Sequence, residues 1–213
     1  MPIIRKSKQG LLFIHIPKTG GGSVEAAFRA DGWSVNILDG NMGKGTINHY
    51  RHCTPQHIHG SVLQQLYKLD RFDGIFTYVR DPLRRTVSEY LWRNQRNENL
   101  DPGAPAFEAW VREAIKKTMA DPYVYDNHMR PQHEFLVPGT RVYKFEDGLE
   151  TGLADLERVT GLEIPSSVPR NHSGSDLSGV SSSDVQINDN IRKLVADFYA
   201  EDYRIFGYTR PDA

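Results

Sequence analysis

The chain offers little from which a disulfide framework or a strongly charged surface could be built. Only one of its 213 residues is a cysteine, Cys53, so an intramolecular disulfide and a multi-cysteine metal site are both excluded. Lysine plus arginine number 26 and aspartate plus glutamate 27, so the formal net charge is −1. A charge this close to zero gives no general attraction to nucleic acid or to an anionic membrane. Any anion site must therefore be local.

Long hydrophobic runs are also missing. The first apolar run, 11–16, is too short for the hydrophobic region of a signal peptide and has no cleavage site after it, and no stretch is long enough to span a membrane. We therefore expect a cytoplasmic protein. Cys53 is interpreted as a small apolar residue rather than as a nucleophile.

What the sequence does contain is an alternation of strand and helix patterns. Short apolar runs predict buried strands at 11–16, 33–38, 72–79 and 141–145. Apolar residues at helical spacing predict helices that include Val24, Ile58, Leu83, Phe107, Leu153 and Ile191. This order predicts an α/β fold, a central parallel sheet flanked by helices, in a single domain over 1–213 with its core at about 11–208. Ligands in such folds bind at the carboxyl ends of the strands.

The first candidate site follows the first predicted strand and has the sequence Lys18-Thr19-Gly20-Gly21-Gly22-Ser23. A strand, a glycine-rich turn and a helix together present backbone N–H groups to an anion. Lys18 adds a point charge and Ser23 a hydroxyl donor. A Walker A loop places its lysine after the glycines. Because Lys18 precedes them, a standard nucleoside triphosphatase is disfavoured, while a plain tight turn before a helix remains the alternative.

The second candidate site follows the predicted strand 72–79. Arg80 stands at the end of this strand, before Asp81-Pro82, and Ser88 lies two helical turns further on. An arginine in this place can bind a phosphate bidentately. Both side chains reach one ligand only if the chain turns sharply, and Asp81-Pro82 predicts such a turn as N-cap and first helical residue. The alternative is an Arg80 paired with an acidic neighbour and a Ser88 without a ligand.

Both segments resemble motifs of one known family. His15-Ile16-Pro17-Lys18-Thr19-Gly20-Gly21 resembles the 5′-phosphosulfate loop of sulfotransferases that use 3′-phosphoadenosine 5′-phosphosulfate (PAPS). The similarity is strongest to the carbohydrate branch, with the heparan sulfate 2-O-sulfotransferases and the bacterial sulfotransferase family 2 proteins. Val79-Arg80-Asp81-Pro82 with Ser88 resembles the family's 3′-phosphate motif. The resemblance implies the P-loop kinase-like sulfotransferase fold.

The same resemblance implies roles for the residues of both motifs. Lys18 would act in catalysis by neutralising the leaving phosphate, and the loop would bind the 5′-phosphate. Arg80 and Ser88 would bind the 3′-phosphate that distinguishes PAPS from ATP. The loop residues carried over in this way are Lys18, Thr19, Gly20, Gly21, Gly22 and Ser23. Gly22 departs from the pattern, since many relatives have a threonine or serine there.

The catalytic base is expected in the histidine-containing stretch 48–57. Histidine suits proton removal near neutral pH, and relatives often have a histidine in this interval as the general base. We align His52 with it and keep His49 in reserve, although in other sulfotransferases a glutamate has this role. A metal site is the alternative for such a tract. No metal is expected, because sulfuryl transfer needs none and no acidic partner stands at useful spacing.

A third, shorter similarity concerns the acceptor side. His128-Met129-Arg130-Pro131-Gln132 resembles a segment of carbohydrate sulfotransferases that lines the cleft, which implies substrate contacts for His128, Arg130 and Gln132. Asn171-His172-Ser173 is interpreted as part of a covering lid. The expected acceptor is a hydroxyl of a glycan or glycoside, with a lipid or small alcohol left open. Without an anchor or disulfides, a bacterial source is favoured over a Golgi enzyme.

Two other functions stay open on the residues alone. An ATP-dependent small-molecule kinase would keep a phosphate loop, but it should also have a lysine after the glycines and an acidic magnesium ligand. A non-catalytic nucleotide-binding module would keep the fold, and replacing His52 and His49 would leave its function untouched.

Overall fold

A computed structural model describes residues 2–169 and 179–211. These residues form two compact units, one of residues 2–79 and 134–169 and the other of residues 80–133 and 179–211. Each unit is described by itself below, and the expectation of a single domain stays a prediction. The lid interpretation of Asn171-His172-Ser173 falls outside the described residues.

The described residues contain one five-stranded sheet and seven α-helices, in agreement with the predicted α/β class. The strands are β1 (Ile3–Lys6), β2 (Gln9–Ile14), β3 (Ser34–Asn36), β4 (Gly74–Val79) and β5 (Arg141–Lys144). The helices are α1 (Gly21–Ala30), α2 (Gly60–Leu66), α3 (Pro82–Arg93), α4 (Ala104–Ala120), α5 (Leu149–Thr160), α6 (Asp189–Phe198) and α7 (Ala200–Phe206). No helix in this part of the chain is both long and apolar enough to cross a membrane.

The sheet belongs to the first unit and has the strand order β3-β1-β2-β4-β5. β4 is parallel to both β2 and β5, so the parallel core that the strand–helix alternation predicts is confirmed. β1 is the exception, since it runs antiparallel to β2 and β3. The sequence analysis missed this strand. β1 is four residues long, and only Ser7 and Lys8 connect it to β2. Because this connection contains no helix, the strand–helix alternation does not predict β1.

The core of the first unit lies between the sheet and two helices. Ile4, Leu11 and Phe76 of the sheet are fully buried, as are Phe28 of α1 and Leu156 of α5. Burying side chains of this size contributes about 1.5–3 kcal/mol each. This packing holds β2 and β4 side by side, and it brings their carboxyl ends to the same edge of the sheet.

The apolar spacing predicts a helix that includes Ile58, and this prediction is wrong in its boundaries. Pro55 does begin a helical turn, but that turn ends at His57, and Ile58 and His59 are extended. α2 begins only at Gly60. A Cβ on Gly60 would lie 2.2 Å from the carbonyl oxygen of Leu136. Close packing of this backbone against the segment that precedes β5 therefore decides where the helix starts, and apolar spacing alone does not reveal it.

The second unit is helical. α3, α4, α6 and α7 surround an apolar core whose most buried members include Phe107, Val111, Ile191 and Val195. The pattern correctly predicted α3, α4 and α6, including the start of α3 at Pro82, but it did not predict α7. Asp81 caps α3, because its Oδ1 accepts the N–H of Arg84 at 2.8 Å. The sharp turn predicted after Arg80 is thereby confirmed.

Candidate active site

The glycine-rich loop connects β2 to α1 at the carboxyl edge of the sheet. Lys18 and Gly20 both have left-handed backbone conformations, with φ of 69° and 88°. A lysine rarely adopts this conformation. The Thr19 hydroxyl helps to impose it, because Thr19 is fully buried and donates to the carbonyl oxygen of Ile16 at 2.8 Å. Its hydroxyl proton is thus committed to the loop itself.

The loop exposes backbone donors at the beginning of α1. Within the described residues, no hydrogen bond engages the N–H groups of Gly20, Gly21 and Gly22. The first N–H groups of any helix lack intrahelical acceptors, and together with the helix dipole they attract an anion. Lys18 supplies the positive charge next to them. The loop therefore has the donor set and charge that a phosphate group requires.

Close packing beneath the loop excludes side chains at two of the glycines. A Cβ on Gly20 would lie 2.9 Å from a ring carbon of Phe145, and one on Gly21 would lie 2.3 Å from Nε2 of His15. His15 in turn is hydrogen-bonded through Nδ1 to Oε1 of Glu25 at 2.6 Å. Glu25 is a buried carboxylate of α1. The sequence analysis did not find it, because a lone glutamate in a helix gives no local signal of its partner ten residues away.

The candidate bases differ in their surroundings. His49 and His52 are exposed, and the ring of His49 packs against Tyr50, itself 94% exposed. His57, from the same histidine-containing stretch, is buried, and its ring lies edge-on to that of His15 with 5.1 Å between the centroids. The ring of His57 therefore packs on a residue that lies directly beneath the glycine-rich loop.

The second motif belongs to the helical unit. Arg80 precedes the Asp81 cap, and Ser88 lies half-buried on α3. The two neighbouring arginines of α3 differ. Arg84 is exposed, whereas Arg85 is almost fully buried and donates through Nη2 to the carbonyl oxygens of His128 and Arg130. Arg85 therefore holds the third motif in place.

His128, in the third motif, is paired with a buried carboxylate. Its Nδ1 lies 2.7 Å from Oε2 of Glu89, whose Oε1 accepts from Nε of Arg93 at 2.6 Å. Burial alone would raise the pKa of the Glu89 carboxyl, but His128 and Arg93 outweigh it and hold this pKa below its ordinary value. Glu89 is therefore an ionised carboxylate that orients the His128 ring through Nδ1.

The backbone before His128 is strained. Tyr125, Asp126 and Asn127 all have left-handed conformations, with φ of 56°, 59° and 63°. Each such residue costs roughly 1–2 kcal/mol. Side-chain contacts compensate, since Nη2 of Arg93 donates to the carbonyl oxygen of Tyr125 and Nε of Arg130 donates to Oδ1 of Asn127. Such strain is typical of functional segments.

The other predicted substrate contacts of this motif are largely buried. Arg130 is 6% exposed, and its guanidinium lies over the ring of Tyr123. Gln132 is fully buried, and its amide is hydrogen-bonded to the main chain of Arg80 and to Asp202. Asp202 is also fully buried. The sequence analysis did not identify Glu89 or Asp202, which meet partners 39 and 70 residues away.

A mixed sheet with a parallel core, a glycine-rich loop at the carboxyl edge of that core and a helix that starts from the loop are features of α/β folds that bind phosphate groups. A sequence model of the sulfotransferase family matches residues 1–209. The chain therefore belongs to the sulfotransferase family and is a sulfotransferase enzyme. No match to the chain was found among the curated proteins or among the solved structures.

Proposed function

We propose that this sulfotransferase takes the sulfuryl group from PAPS and transfers it to a hydroxyl of a carbohydrate acceptor. The observation that carries the proposal is the loop between β2 and α1, where Lys18 and the N–H groups of Gly20, Gly21 and Gly22 form a site for a phosphate group. Sulfotransferases of this family generally use PAPS. The loop's charge and donors suit the 5′-phosphosulfate of that nucleotide.

Recognition of the 3′-phosphate is assigned to the second motif. The guanidinium of Arg80 would bind the phosphate bidentately and the hydroxyl of Ser88 would donate to it. The cap at Asp81 supports this role, because it turns the chain directly into α3, on which Ser88 lies. Ser88 is half-buried, as a side chain at the edge of a ligand site would be.

The chemistry needs a base on the acceptor side and positive charge on the donor side. When bound, PAPS supplies an activated sulfuryl group with a bisphosphate nucleotide as leaving group. Lys18 and the loop N–H groups would stabilise the negative charge that develops on the leaving phosphate. A histidine would take the proton of the acceptor hydroxyl while the new oxygen–sulfur bond forms and the old one breaks.

Three histidines are candidates for that base. His52 is the one that the family resemblance favours, and His49 is its reserve. The packing favours His57, because its ring is buried against His15 and His15 borders the phosphate loop. A base whose ring is fixed by its neighbours is more often in the orientation needed for proton transfer than an exposed, mobile one.

The carbohydrate acceptor is proposed from the resemblance of 128–132 to carbohydrate sulfotransferases. His128 is the member of this motif best suited to contact a sugar hydroxyl, since the buried carboxylate of Glu89 orients its ring through Nδ1. We also propose that the enzyme acts without a metal and is a cytoplasmic bacterial protein.

Thermal unfolding with three nucleotides tests the donor. We expect 3′-phosphoadenosine 5′-phosphate to raise the melting temperature, because a ligand at a hundred times its Kd stabilises the fold by about 2.7 kcal/mol. Neither 5′-AMP nor ATP with magnesium should match it. Arg80→Ala should abolish the advantage of the 3′-phosphorylated nucleotide, whereas Arg84→Ala, which removes an exposed arginine of the same unit, should retain it.

The donor proposal is contradicted if ATP with magnesium stabilises the protein and the 3′-phosphorylated nucleotide does not. The acceptor proposal needs its own assay, with labelled PAPS and three groups of acceptors: oligosaccharides, simple glycosides, and lipid or small alcohols. Transfer to the alcohols but not to the sugars would support PAPS as the donor and contradict a carbohydrate acceptor.

A further inference from the structure

The main chain of Arg80 is held by a side chain. Oε1 of Gln132 accepts the N–H of Arg80 at 2.9 Å, and Nε2 of Gln132 donates to the carbonyl oxygen of Arg80 at 2.8 Å. The amide thus occupies both hydrogen-bonding groups of one residue, as a neighbouring strand would. Gln132 has no exposed surface, so water does not replace these bonds easily.

A buried carboxylate fixes that amide. Oδ2 of Asp202 accepts the backbone N–H of Gln132 at 2.8 Å and lies 3.5 Å from its Nε2. Oδ1 accepts the N–H of His133 at 3.0 Å and lies 2.7 Å from Nδ1 of the same histidine. Asp202 is fully buried on α7. A carboxylate that receives several donors in a dry environment is held firmly.

The network also determines which way the amide of Gln132 points. The N–H of Arg80 requires an oxygen, while the carbonyl of Arg80 and the carboxylate of Asp202 both require an N–H. The opposite orientation would place a donor against a donor and an acceptor against two acceptors. One arrangement of the amide therefore satisfies all of its neighbours.

We propose that Gln132 and Asp202 are positioning residues that fix the main chain of Arg80 and so direct its guanidinium at the 3′-phosphate. This inference rests on the proposed function, and it gives Gln132 a different task from the substrate contact that the family resemblance implies. An arginine binds a phosphate bidentately only when its planar group meets the oxygens in one geometry. A long side chain reaches that geometry more often when its backbone is fixed.

The test is a comparison of two nucleotides that differ only in the 3′-phosphate. The Kd of 3′-phosphoadenosine 5′-phosphate and that of 5′-AMP are measured by calorimetry for the wild type and for Gln132→Ala. Because the two nucleotides differ only in the 3′-phosphate, the ratio of their Kd values measures how much this phosphate contributes to binding. We expect this ratio to fall by about tenfold or more in the variant, while the Kd of 5′-AMP changes little.

A second variant covers the case in which Gln132→Ala does not fold. Gln132→Met keeps the approximate length of the side chain, but it can neither accept the N–H of Arg80 nor donate to the Arg80 carbonyl. It should lose the same 3′-phosphate preference. His133→Ala is the matched control, because His133 binds the same carboxylate of Asp202 through Nδ1, whereas Gln132 bonds to the main chain of Arg80.

Each outcome separates this inference from the proposed function. Loss of the preference in both Gln132 variants, with retention in His133→Ala, supports the positioning role. An unchanged ratio in the Gln132 variants overturns it, and so does an equal loss in His133→Ala, which would indicate a general structural effect. A wild type without any preference for the 3′-phosphate would instead overturn the proposed donor.

Discussion

Nδ1 of His15 lies 2.6 Å from Oε1 of Glu25, and this pair joins the residue after β2 to the second turn of α1. The two residues are thus bonded across the base of the glycine-rich loop between β2 and α1. The other edge of the ring faces Gly21, where a side-chain carbon would lie 2.3 Å from Nε2. The conformation of the loop therefore depends on a contact that lies beneath it.

The first prediction concerns Glu25. Glu25→Ala should lower the free energy of unfolding by about 1–3 kcal/mol, because it leaves a largely buried imidazole without its acceptor. It should also weaken the binding of 3′-phosphoadenosine 5′-phosphate, since the loop loses its support. Urea unfolding and calorimetry measure the two effects. Glu157→Gln, on the exposed side of α5, is the control and should leave both unchanged. A Glu25→Ala protein as stable as the wild type would contradict the prediction.

The second prediction concerns the space at Gly21. Gly21→Ala should destabilise the protein by about 1–3 kcal/mol, because the new methyl group meets the His15 ring and one of them must move. Nucleotide binding should fall with it. Gly10→Ala is the matched control, because a Cβ there meets nothing within 4 Å and Gly10 lies in β2 of the same unit. Thermal unfolding of both variants measures the difference. Equal melting temperatures would show that the ring moves without cost.

Features set by neighbouring residues could be predicted from the sequence. The cap at Asp81 and the helix start at Pro82 each depend on side chains within one turn, and both agree with the prediction. The loop after β2 is of the same kind, since its glycines and lysine are consecutive. A motif carries its own local structure because capping and turn formation are local interactions.

Features set by distant residues could not be predicted. α2 begins at Gly60 because the carbonyl oxygen of Leu136 approaches it, and that contact joins residues 76 positions apart in the chain. Glu89 and Asp202 also contact partners that are far away in the sequence, 39 and 70 residues from them. A glutamate or aspartate in a helix is ordinarily a surface residue. Its burial beside a histidine becomes visible only when the fold brings the two together, so sequence patterns named His128 and Gln132 but not the carboxylates that hold them.

The third prediction follows from the lowered pKa of Glu89 and concerns pH. A carboxyl whose pKa is lower in the folded than in the unfolded protein stabilises the fold above its ordinary pKa of 4.5, and this contribution is lost as the pH falls through the lowered folded value. The substitution Glu89→Gln removes this pH-dependent contribution to stability. We therefore expect the wild type to be more stable than Glu89→Gln at neutral pH, with the difference shrinking on acidification below about 4.5.

Chemical unfolding between pH 3 and pH 7 measures that difference. Glu98→Gln serves as the control, because Glu98 is exposed in the same helical unit and should show no such dependence. A difference between wild type and Glu89→Gln that stays constant over the whole range would mean that the carboxylate contributes through packing alone, and the prediction would fail.

The fourth prediction identifies the base among the three histidines. Replacing the base by glutamine should lower kcat by about 10²–10⁴-fold, while the Kd of 3′-phosphoadenosine 5′-phosphate stays the same, because the base acts on the acceptor and not on the nucleotide. The same variant should lose the acidic limb of the pH–rate profile. His52→Gln, His49→Gln and His57→Gln are compared at saturating PAPS. We expect the loss in one of them.

The surroundings of each histidine decide how its result is interpreted. His57→Gln also removes a ring that packs on His15, so its melting temperature and nucleotide affinity must match the wild type before a lower kcat counts as loss of the base. His52 and His49 are exposed, and their replacement should not disturb the fold. If all three variants turn over at the wild-type rate, no histidine of this stretch is the base, and the glutamate used by other sulfotransferases becomes the hypothesis to test.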